Sequence, residues 1–216
     1  MTTDGLYPFL RAAPEPQADL DAAVARSTRD KIAEIGRLRA AVADREATAL
    51  AACATAMADR FARRGRLYAF GNGGSSTDAL AVASLYAAPG LGHRALPALS
   101  LPADVASLTA LANDVSFDVV FARPLRAVGR PEDVAFGLST SGGSENVRRG
   151  MDAAHERGML TVAVAGSDGG ALAEAHRQGR IAHLLVVPSQ SVHRIQEAQT
   201  TVYQVLWELV QRALAP

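Results

Sequence analysis

Cysteine, net charge and long apolar runs are nearly missing from this 216-residue sequence. Cys53 is the single cysteine, which excludes a disulfide framework and a thiolate metal cluster within the chain. Its Ala-rich surroundings favour a small buried side chain over a nucleophile. The 22 basic and 22 acidic residues give a formal net charge of zero. This balance argues against nucleic acid or an anionic membrane surface as the main partner.

Membrane and export signals are also missing from the sequence. No apolar run is long enough to span a bilayer, and residues 1–16 lack the basic start and apolar core of a signal peptide. We therefore expect a cytoplasmic protein.

The composition that remains is that of an ordinary globular protein, with 49% hydrophobic and 20% charged residues. The length suffices for one α/β domain with a full core and an additional helical element. We expect a single domain over residues 1–216, in which residues 1–16 are flexible. Helices are predicted over residues 18–64 and an α/β core over residues 65–216.

The N-terminal zone, from Ala18 to Arg64, has apolar residues at three- and four-residue steps, the spacing of an amphipathic helix. Only Gly36 interrupts it, and the pattern predicts two long helices with a break near Ala43–Glu46. The apolar stripes are long for helices that only cover a sheet. They favour packing against a second subunit, hence a homo-oligomer, with a helical cap on a monomer as the alternative.

From Gly65 onward, short apolar runs alternate with helical patterns. The candidate strands are apolar on consecutive residues, as parallel strands buried on both faces are. They cover Arg66–Phe70, Ala95–Leu99, Asp133–Leu138, Leu160–Ala165 and His183–Val187. The helical patterns cover Thr77–Tyr86, Ser116–Val128, Ser144–Arg157, Gly170–Arg177 and about His193–Leu214. The alternation predicts a doubly wound parallel sheet of five strands with helices on both faces.

Two loops rich in glycine and hydroxyl side chains stand where a predicted strand gives way to a helix: Gly71–Ser75 and Ser139–Ser144. Ligands of such sheets bind outside the carboxyl ends of the strands. Backbone N–H groups and hydroxyls at a helix N-terminus bind anions. Two such loops in one small domain favour a phosphate-bearing ligand. Turn formation or helix capping is the alternative for each loop.

Five motifs, in order along the chain, resemble those of the sugar isomerase (SIS) domain proteins, and among these the phosphoheptose isomerases. The motifs are Gly71-Asn72-Gly73-Gly74-Ser75, Ala112-Asn113-Asp114, Ser139-Thr140-Ser141-Gly142, Asp168-Gly169-Gly170 and Arg194-Ile195-Gln196-Glu197. The resemblance extends over essentially the whole chain. It implies a flavodoxin-like fold, a homotetramer with active sites at subunit contacts, and conversion of sedoheptulose 7-phosphate to a heptose 7-phosphate.

The resemblance also assigns roles to individual residues. The serines and the threonine of the second loop correspond to the residues that hold the sugar phosphate. Asn72 and Ser75 correspond to contacts with sugar hydroxyls or phosphate, and Asp114 to a carboxylate at the substrate site. The residues expected to bind the substrate or its phosphate are Asn72, Gly73, Ser75, Asp114, Ser139, Thr140, Ser141, Ser144 and Gln196.

The catalytic positions depart from the family. In the isomerases, the helix after the first loop carries a His and, four residues on, a Glu. That spacing puts both on one face, where they bind a metal and the Glu acts as a base. Here the two positions hold Ala81 and Leu85, and Gln204 replaces a second His on the last helix. Only Gln196 remains of the metal ligands, so we expect the family's zinc site to be lost and no cofactor to be bound.

Aldose–ketose isomerisation moves a proton between adjacent carbons and needs a base and an acid. Each contributes roughly a hundred- to ten-thousand-fold in rate. Candidate substitutes for the missing groups are His193 and Glu197. The alternatives are an exposed or capping histidine and a carboxylate with an orienting role.

Three functions stay open from the sequence. The first is a binding protein that recognises a sugar phosphate and passes that state to a protein partner or companion subunit. The second is a divergent aldose–ketose isomerase of a heptose or octose phosphate, with His193, Glu197 or a residue of another subunit as its base. The third is a purely structural oligomer.

Overall fold

The computed structural model describes residues 17–215, with side chains from Asp19 onward. The flexibility predicted for residues 1–16 lies outside the described residues. The chain forms two compact units, Met1–Arg37 and Leu38–Pro216, and the division falls inside a helix. Of the first unit, the described part is helical throughout. The second unit contains the sheet and all the elements that position the candidate site.

The N-terminal helix, α1, runs without interruption over Gln17–Ala62. The predicted break near Ala43–Glu46 is wrong, because this stretch contains no proline or glycine; its alanine, arginine and glutamate are good helix formers, and its aspartate is tolerated in a helix. The helix ends where the Gly65 N–H donates to the Arg60 carbonyl over 2.9 Å. No helix within residues 17–215 is both long enough and apolar enough to cross a membrane.

Five strands form one sheet, in which every neighbouring pair is parallel. They are β1 (Leu67–Phe70), β2 (Ala98–Ser100), β3 (Val134–Ser139), β4 (Leu160–Gly166) and β5 (His183–Val187). Their order, β2-β1-β3-β4-β5, is that of flavodoxin-like sheets. The central strands β3 and β4 are buried along their whole length, which is why they carry consecutive apolar residues. The predicted fold class is confirmed.

Helices cover both faces of the sheet. Those that follow α1 are α2 (Gly74–Ala87), α3 (Val105–Asp114), α4 (Ala122–Val128), α5 (Glu145–Glu156), α6 (Gly170–Arg177) and α7 (Val192–Ala213). On one face, α4, α5 and α6 pack around Phe70, Phe121 and Met151. On the other face lie α2 and α7. Phe61 of α1 stacks on Tyr86 of α2 there, with ring centroids 5.6 Å apart.

Three predicted elements need correction. The span Ser116–Val128 is not one helix, because Pro124 cannot sit in a helix interior; it lies in the first turn of α4, after a separate 3-10 turn over Phe117–Val119. Helix α3 was not predicted, although Asp104 caps it by accepting a hydrogen bond from the Ser107 N–H over 3.1 Å. Strand β2 begins at Ala98, because the preceding proline has no N–H for the ladder.

Candidate functional site

The two predicted loops meet at the carboxyl edge of the sheet, where the strand order reverses between β1 and β3. Residues 71–73 join β1 to α2, and residues 140–144 join β3 to α5. Asn72 of the first loop and Asn146 of α5 exchange two amide hydrogen bonds of 2.8 Å each. The pair fixes one loop against the other.

The first loop uses its backbone groups to start α2. Gly73 has a φ of +54°, and its carbonyl accepts hydrogen bonds from the N–H and the hydroxyl of Ser76, over 2.9 and 2.6 Å. Ser75 is only 4% exposed, and its N–H donates to the Asn72 carbonyl over 2.9 Å. The loop is therefore a rigid turn with a half-buried amide, Asn72, at its centre.

The second loop, Ser139–Ser144, is named here the phosphate cup. The hydroxyls of Ser139 and Ser144 lie 3.2 Å apart, within hydrogen-bonding distance. The Ser141 hydroxyl accepts from the Gly143 N–H over 3.1 Å. Ser141 is exposed, and Thr140 and Ser144 are half-buried. Several hydroxyls and the N-terminus of α5 thus converge on one small volume, which is the arrangement that binds an anion.

The first residues of α6 and the turn before them pack against the phosphate cup. Gly142 has a φ of +64°, and a Cβ atom on it would lie 2.1 Å from the Gly169 carbonyl oxygen. The Gly142 carbonyl accepts from the Leu172 N–H over 3.0 Å. The Asp168 carboxylate closes the supporting turn by accepting from the Gly170 N–H, also over 3.0 Å. The Asp168-Gly169-Gly170 motif therefore contributes through packing against the cup.

The carboxylate beside the phosphate cup is paired with arginine side chains. Glu145, the first residue of α5, accepts hydrogen bonds from Arg148 over 2.9 and 2.6 Å and from Arg149 over 2.6 Å. These hydrogen bonds, with a smaller contribution from the two positive charges, lower the pKa of Glu145 to about 2. The Glu145 carboxylate that lies directly after the cup is therefore ion-paired with two guanidinium groups.

A cavity of about 170 Å³ opens beside the phosphate cup. Thr140 and Ser141 line it together with Ser167, Ser189 and Gln190. Ser167 has a φ of +58°, rare for a residue with a side chain, and its hydroxyl accepts from the Gln190 Nε2 over 2.9 Å. The last three residues were not predicted from the sequence. The usable signal was their position after β4 and β5, at the edge where parallel sheets bind ligands.

Gln196 of α7 is placed against the N-terminal part of α2. Its Nε2 occupies the space that a side chain on Gly74 would need, 2.0 Å from the ideal Cβ position. Burial raises the pKa of the Asp78 carboxyl above its ordinary value, and a hydrogen bond from Gln196 lowers it in part. The Asp78 Oδ2 atom is buried and has no hydrogen-bond partner among the described residues. Asp78 was not predicted; the signal was a lone acid in an otherwise apolar helix.

The remaining predicted residues lie near the ends of helices. Asp114 is exposed at the end of α3, where its carboxylate accepts from the Asn113 side chain over 2.7 Å. His193 is exposed in the first turn of α7. Glu197, one turn further, is ion-paired with Arg194. Within residues 17–215, none of the hydrogen bonds of these three side chains joins them to the cup, and their roles stay predictions.

Known proteins are similar to this chain in sequence and in fold. The phosphoheptose isomerase of Chlorobaculum tepidum is 40% identical over 182 residues, which cover 82% of this chain and 85% of that protein. Residues 32–166 match the SIS domain family. The chain belongs to this family. Within it, the chain falls in the phosphoheptose isomerase branch.

Solved structures of phosphoheptose isomerases agree with this placement. Phosphoheptose isomerase GmhA of Neisseria gonorrhoeae superposes with a TM-score of 0.80 at 33% identity, covering 88% of this chain and 99% of that one. A phosphoheptose isomerase from Francisella tularensis gives a TM-score of 0.78 at 28% identity, covering 87% of this chain and 97% of that one.

The metal ligands implied by the SIS resemblance do not fit the side chains of this chain. Ala81 and Leu85 lie one turn apart on α2, and Gln204 is exposed two turns after Gln196 on α7. Within residues 17–215, no three His, Cys, Asp or Glu side chains are grouped so that they could hold a metal ion. Gln196 with its neighbour Asp78 falls short of the three protein ligands of a catalytic zinc site.

Proposed function

We propose that this SIS domain protein binds a sugar phosphate in the phosphate cup and lacks the usual metal- and base-dependent isomerisation. The observation that carries the proposal is the contrast between two neighbouring parts of one site. The cup is assembled from hydroxyls, glycines and a helix N-terminus. The adjoining helix α2 presents Ala81 and Leu85, neither of which ligates a metal or takes a proton.

The phosphate is held by hydroxyl and backbone donors. Thr140, Ser141 and Ser144 donate to its oxygens, and the Gly143 N–H turns from the Ser141 hydroxyl to the ligand. The N-terminus of α5 adds about 0.3–1 kcal/mol of favourable interaction with an anion. Asn72 and Ser75 position the sugar next to the cup, with Asp114 and Gln196 as the further contacts.

The surroundings of His193 and Glu197, the two candidate bases, favour ligand binding over isomerisation. An isomerase needs a base within hydrogen-bonding reach of the carbon-bound proton and an acid at the neighbouring oxygen. The Glu197 carboxylate is engaged by Arg194, and His193 is exposed on the first turn of α7.

A divergent isomerase of a heptose or octose phosphate is the second candidate. About 40% identity to proteins named phosphoheptose isomerase favours it. In this case His193 or Glu197, or a group from another subunit, takes the proton.

We also propose that the protein is a cytoplasmic homo-oligomer, a tetramer, and that a companion protein reads its liganded state. An apolar groove of about 350 Å³ between α1 and α7, lined by Val42, Leu50, Val205 and Leu209 among others, supports packing against a second copy. Light scattering gives the mass in solution. Val205→Asp, which places a charge in the groove, is expected to lower that mass, and an unchanged mass would rule out this surface as the interface.

The functional test measures binding and turnover separately. Sedoheptulose 7-phosphate is titrated by calorimetry, with and without zinc, and aldose formation is followed by NMR. Ligand at a hundred times its Kd stabilises a protein by about 2.7 kcal/mol, so thermal unfolding gives a second readout of binding. Thr140→Ala and Ser141→Ala are expected to weaken binding, and Thr55→Ala, which removes a surface hydroxyl from α1, serves as the control.

The outcomes distinguish the three functions. Saturable binding without aldose formation supports the binding protein. Zinc-independent turnover that Glu197→Gln or His193→Ala abolishes establishes the divergent isomerase in its place. If the protein folds and assembles normally but shows neither binding nor turnover, the structural oligomer is the remaining function.

A further inference from the structure

A larger hollow, of about 780 Å³, lies at the opposite edge of the sheet from the phosphate cup. Its walls are residues 92–94, on the connection that leads into the amino end of β2, and the last turns of α7. Helix α7 starts at the carboxyl edge, after β5, and runs back along the sheet. Trp207 lies eleven positions after Gln196, or about 16 Å along the helix. No residue of this hollow belongs to the candidate site described above.

Two contacts fasten the wall formed by the connection to α7. The Gln211 side chain holds the Arg94 backbone with both of its polar atoms: Nε2 donates to the carbonyl over 2.9 Å, and Oε1 accepts from the N–H over 3.0 Å. The rings of His93 and Trp207 meet edge to face, with centroids 4.6 Å apart. An exposed loop that only crosses the surface needs neither contact. The hollow is therefore a preformed shape.

The side chains that line the hollow combine positive charge with an aromatic surface. Arg94 and Arg212 are both exposed there. Within residues 17–215 neither has a carboxylate at ion-pair distance, and Glu208 is the acidic side chain of the lining. Guanidinium groups bind phosphate or carboxylate oxygens in pairs. A half-buried indole offers a face on which a flat ring stacks.

We propose that this hollow binds a small ligand that joins a flat ring to an anionic group. The ring lies on Trp207 beside His93, and the anionic group lies between Arg94 and Arg212. A nucleotide and an aromatic carboxylate share this chemistry. The volume of the hollow is within the range of small-molecule sites.

Trp207 makes the test direct, because it is the single tryptophan of the chain. Its fluorescence is followed while the full-length protein is titrated with adenosine monophosphate in one series and phenylacetate in another. Adenosine, which lacks the anion, and ribose 5-phosphate, which lacks the ring, are the matched ligands. We expect saturable quenching by adenosine monophosphate, by phenylacetate or by both. If adenosine monophosphate quenches, adenosine and ribose 5-phosphate are expected to bind at least about tenfold more weakly.

Variants show whether the signal arises in the hollow. Arg94→Gln and Arg212→Gln are each expected to weaken binding about tenfold, and His93→Ala to weaken it by less. Arg123→Gln, an exposed arginine on α4, is the control that leaves it unchanged. Ser141→Ala leaves it unchanged as well, so failure of the phosphate cup and failure of this hollow are separate results.

Three results would overturn the proposal. The first is no saturable quenching of Trp207 with either class of ligand at millimolar concentration. The second is quenching that both arginine variants retain. The third is a Trp207 that iodide and acrylamide cannot quench, because a ring that small quenchers do not reach cannot stack on a ligand.

Discussion

Asn72 and Asn146 face each other across the point where β1 and β3 end, and each amide donates to the other over 2.8 Å. Asn146 is 3% exposed, and its Oδ1 also accepts from the Val147 N–H over 2.9 Å. One side chain therefore ties the first loop to the helix whose N-terminus forms the phosphate cup. The two loops act as one rigid unit, and damage to the pair must appear in stability and in binding together.

Asn146→Ala is expected to lower the free energy of unfolding by about 1–3 kcal/mol, because it leaves the Asn72 amide without its partner in a poorly hydrated place. Affinity for sedoheptulose 7-phosphate falls as well, since the first loop is no longer held against the cup. Urea unfolding and calorimetry measure the two effects. Asn113→Ala, which removes an exposed amide that donates to Asp114, changes stability by less than about 0.5 kcal/mol. Equal effects of the two substitutions would contradict the role given to the pair.

Adjacent glycines of the cup offer a matched comparison. Gly142→Ala forces a residue with a side chain to a φ of +64° and places its Cβ against the Gly169 backbone. We expect a loss of about 2 kcal/mol or more in the free energy of unfolding. At Gly143 the nearest atom to a new Cβ is the Ser141 Oγ, 3.6 Å away, so Gly143→Ala leaves stability nearly unchanged. Chemical denaturation of both variants checks this, and a Gly143→Ala loss as large as that of Gly142→Ala would be inconsistent with it.

The sheet could be predicted because burial leaves a local trace. Val134–Ser139 and Leu160–Gly166 are covered on both faces and therefore read as continuous apolar runs. The predicted break in α1 comes from the gap between the apolar residues Val42 and Leu50, which resembles the end of one helix and the start of another. Pro124 and Pro97 carry local information, since each excludes a backbone hydrogen bond, and each lies where the apolar pattern alone misplaces an element boundary.

The candidate site likewise has one part that can be predicted from contiguous sequence and one part that cannot. The hydroxyls of the phosphate cup are contiguous in sequence, so one motif predicts them together. The Asn72–Asn146 pair joins residues 74 positions apart, and neither asparagine shows in its own surroundings that the other is its partner. Ser167 and Gln190 likewise come together only because β4 and β5 end side by side.

Glu46 gives the protein a pH-dependent stability unrelated to the cup. It is 7% exposed, where α1 passes the outer edge of β5. Burial raises the pKa of its carboxyl above the ordinary 4.5, and the charge of Arg45 and a hydrogen bond from the Val186 N–H offset this in part. The folded chain therefore holds the proton more tightly than the unfolded chain. Stability from this group is fully present below pH 4.5 and is lost as the pH rises through the folded pKa.

Glu46→Gln keeps an acceptor for the Val186 N–H and removes the buried charge. We expect the variant to have a larger free energy of unfolding than the wild type at pH 7. The difference shrinks as the pH falls towards 4.5. Urea unfolding across this pH range measures the difference. Asp59→Asn, an exposed acid on the same helix, is the control and shows no such trend. A Glu46→Gln difference that does not change with pH would exclude the buried carboxyl as its cause.

The replaced positions on α2 and α7 allow a gain-of-function experiment. Ala81→His, Leu85→Glu and Gln204→His together put back the three side chains that the isomerases carry around the residue matching Gln196. Ala81 and Gln204 are exposed and Leu85 is half-buried, so the triple variant is expected to fold. Metal analysis after dialysis measures bound zinc, and NMR follows aldose formation from sedoheptulose 7-phosphate.

The control variant places a His and a Glu on a different face of α2. Leu80→His with Ser84→Glu keeps the four-residue spacing at exposed positions, rotated about 100° around α2. Zinc retained by the triple variant and not by the control, with aldose formed, means that the cup and the sugar contacts are complete and that three side chains separate this protein from an isomerase. Zinc without aldose means that the remaining contacts fit a different sugar phosphate. A triple variant that folds and retains no zinc contradicts the assignment of Gln196, Ala81, Leu85 and Gln204 to one site.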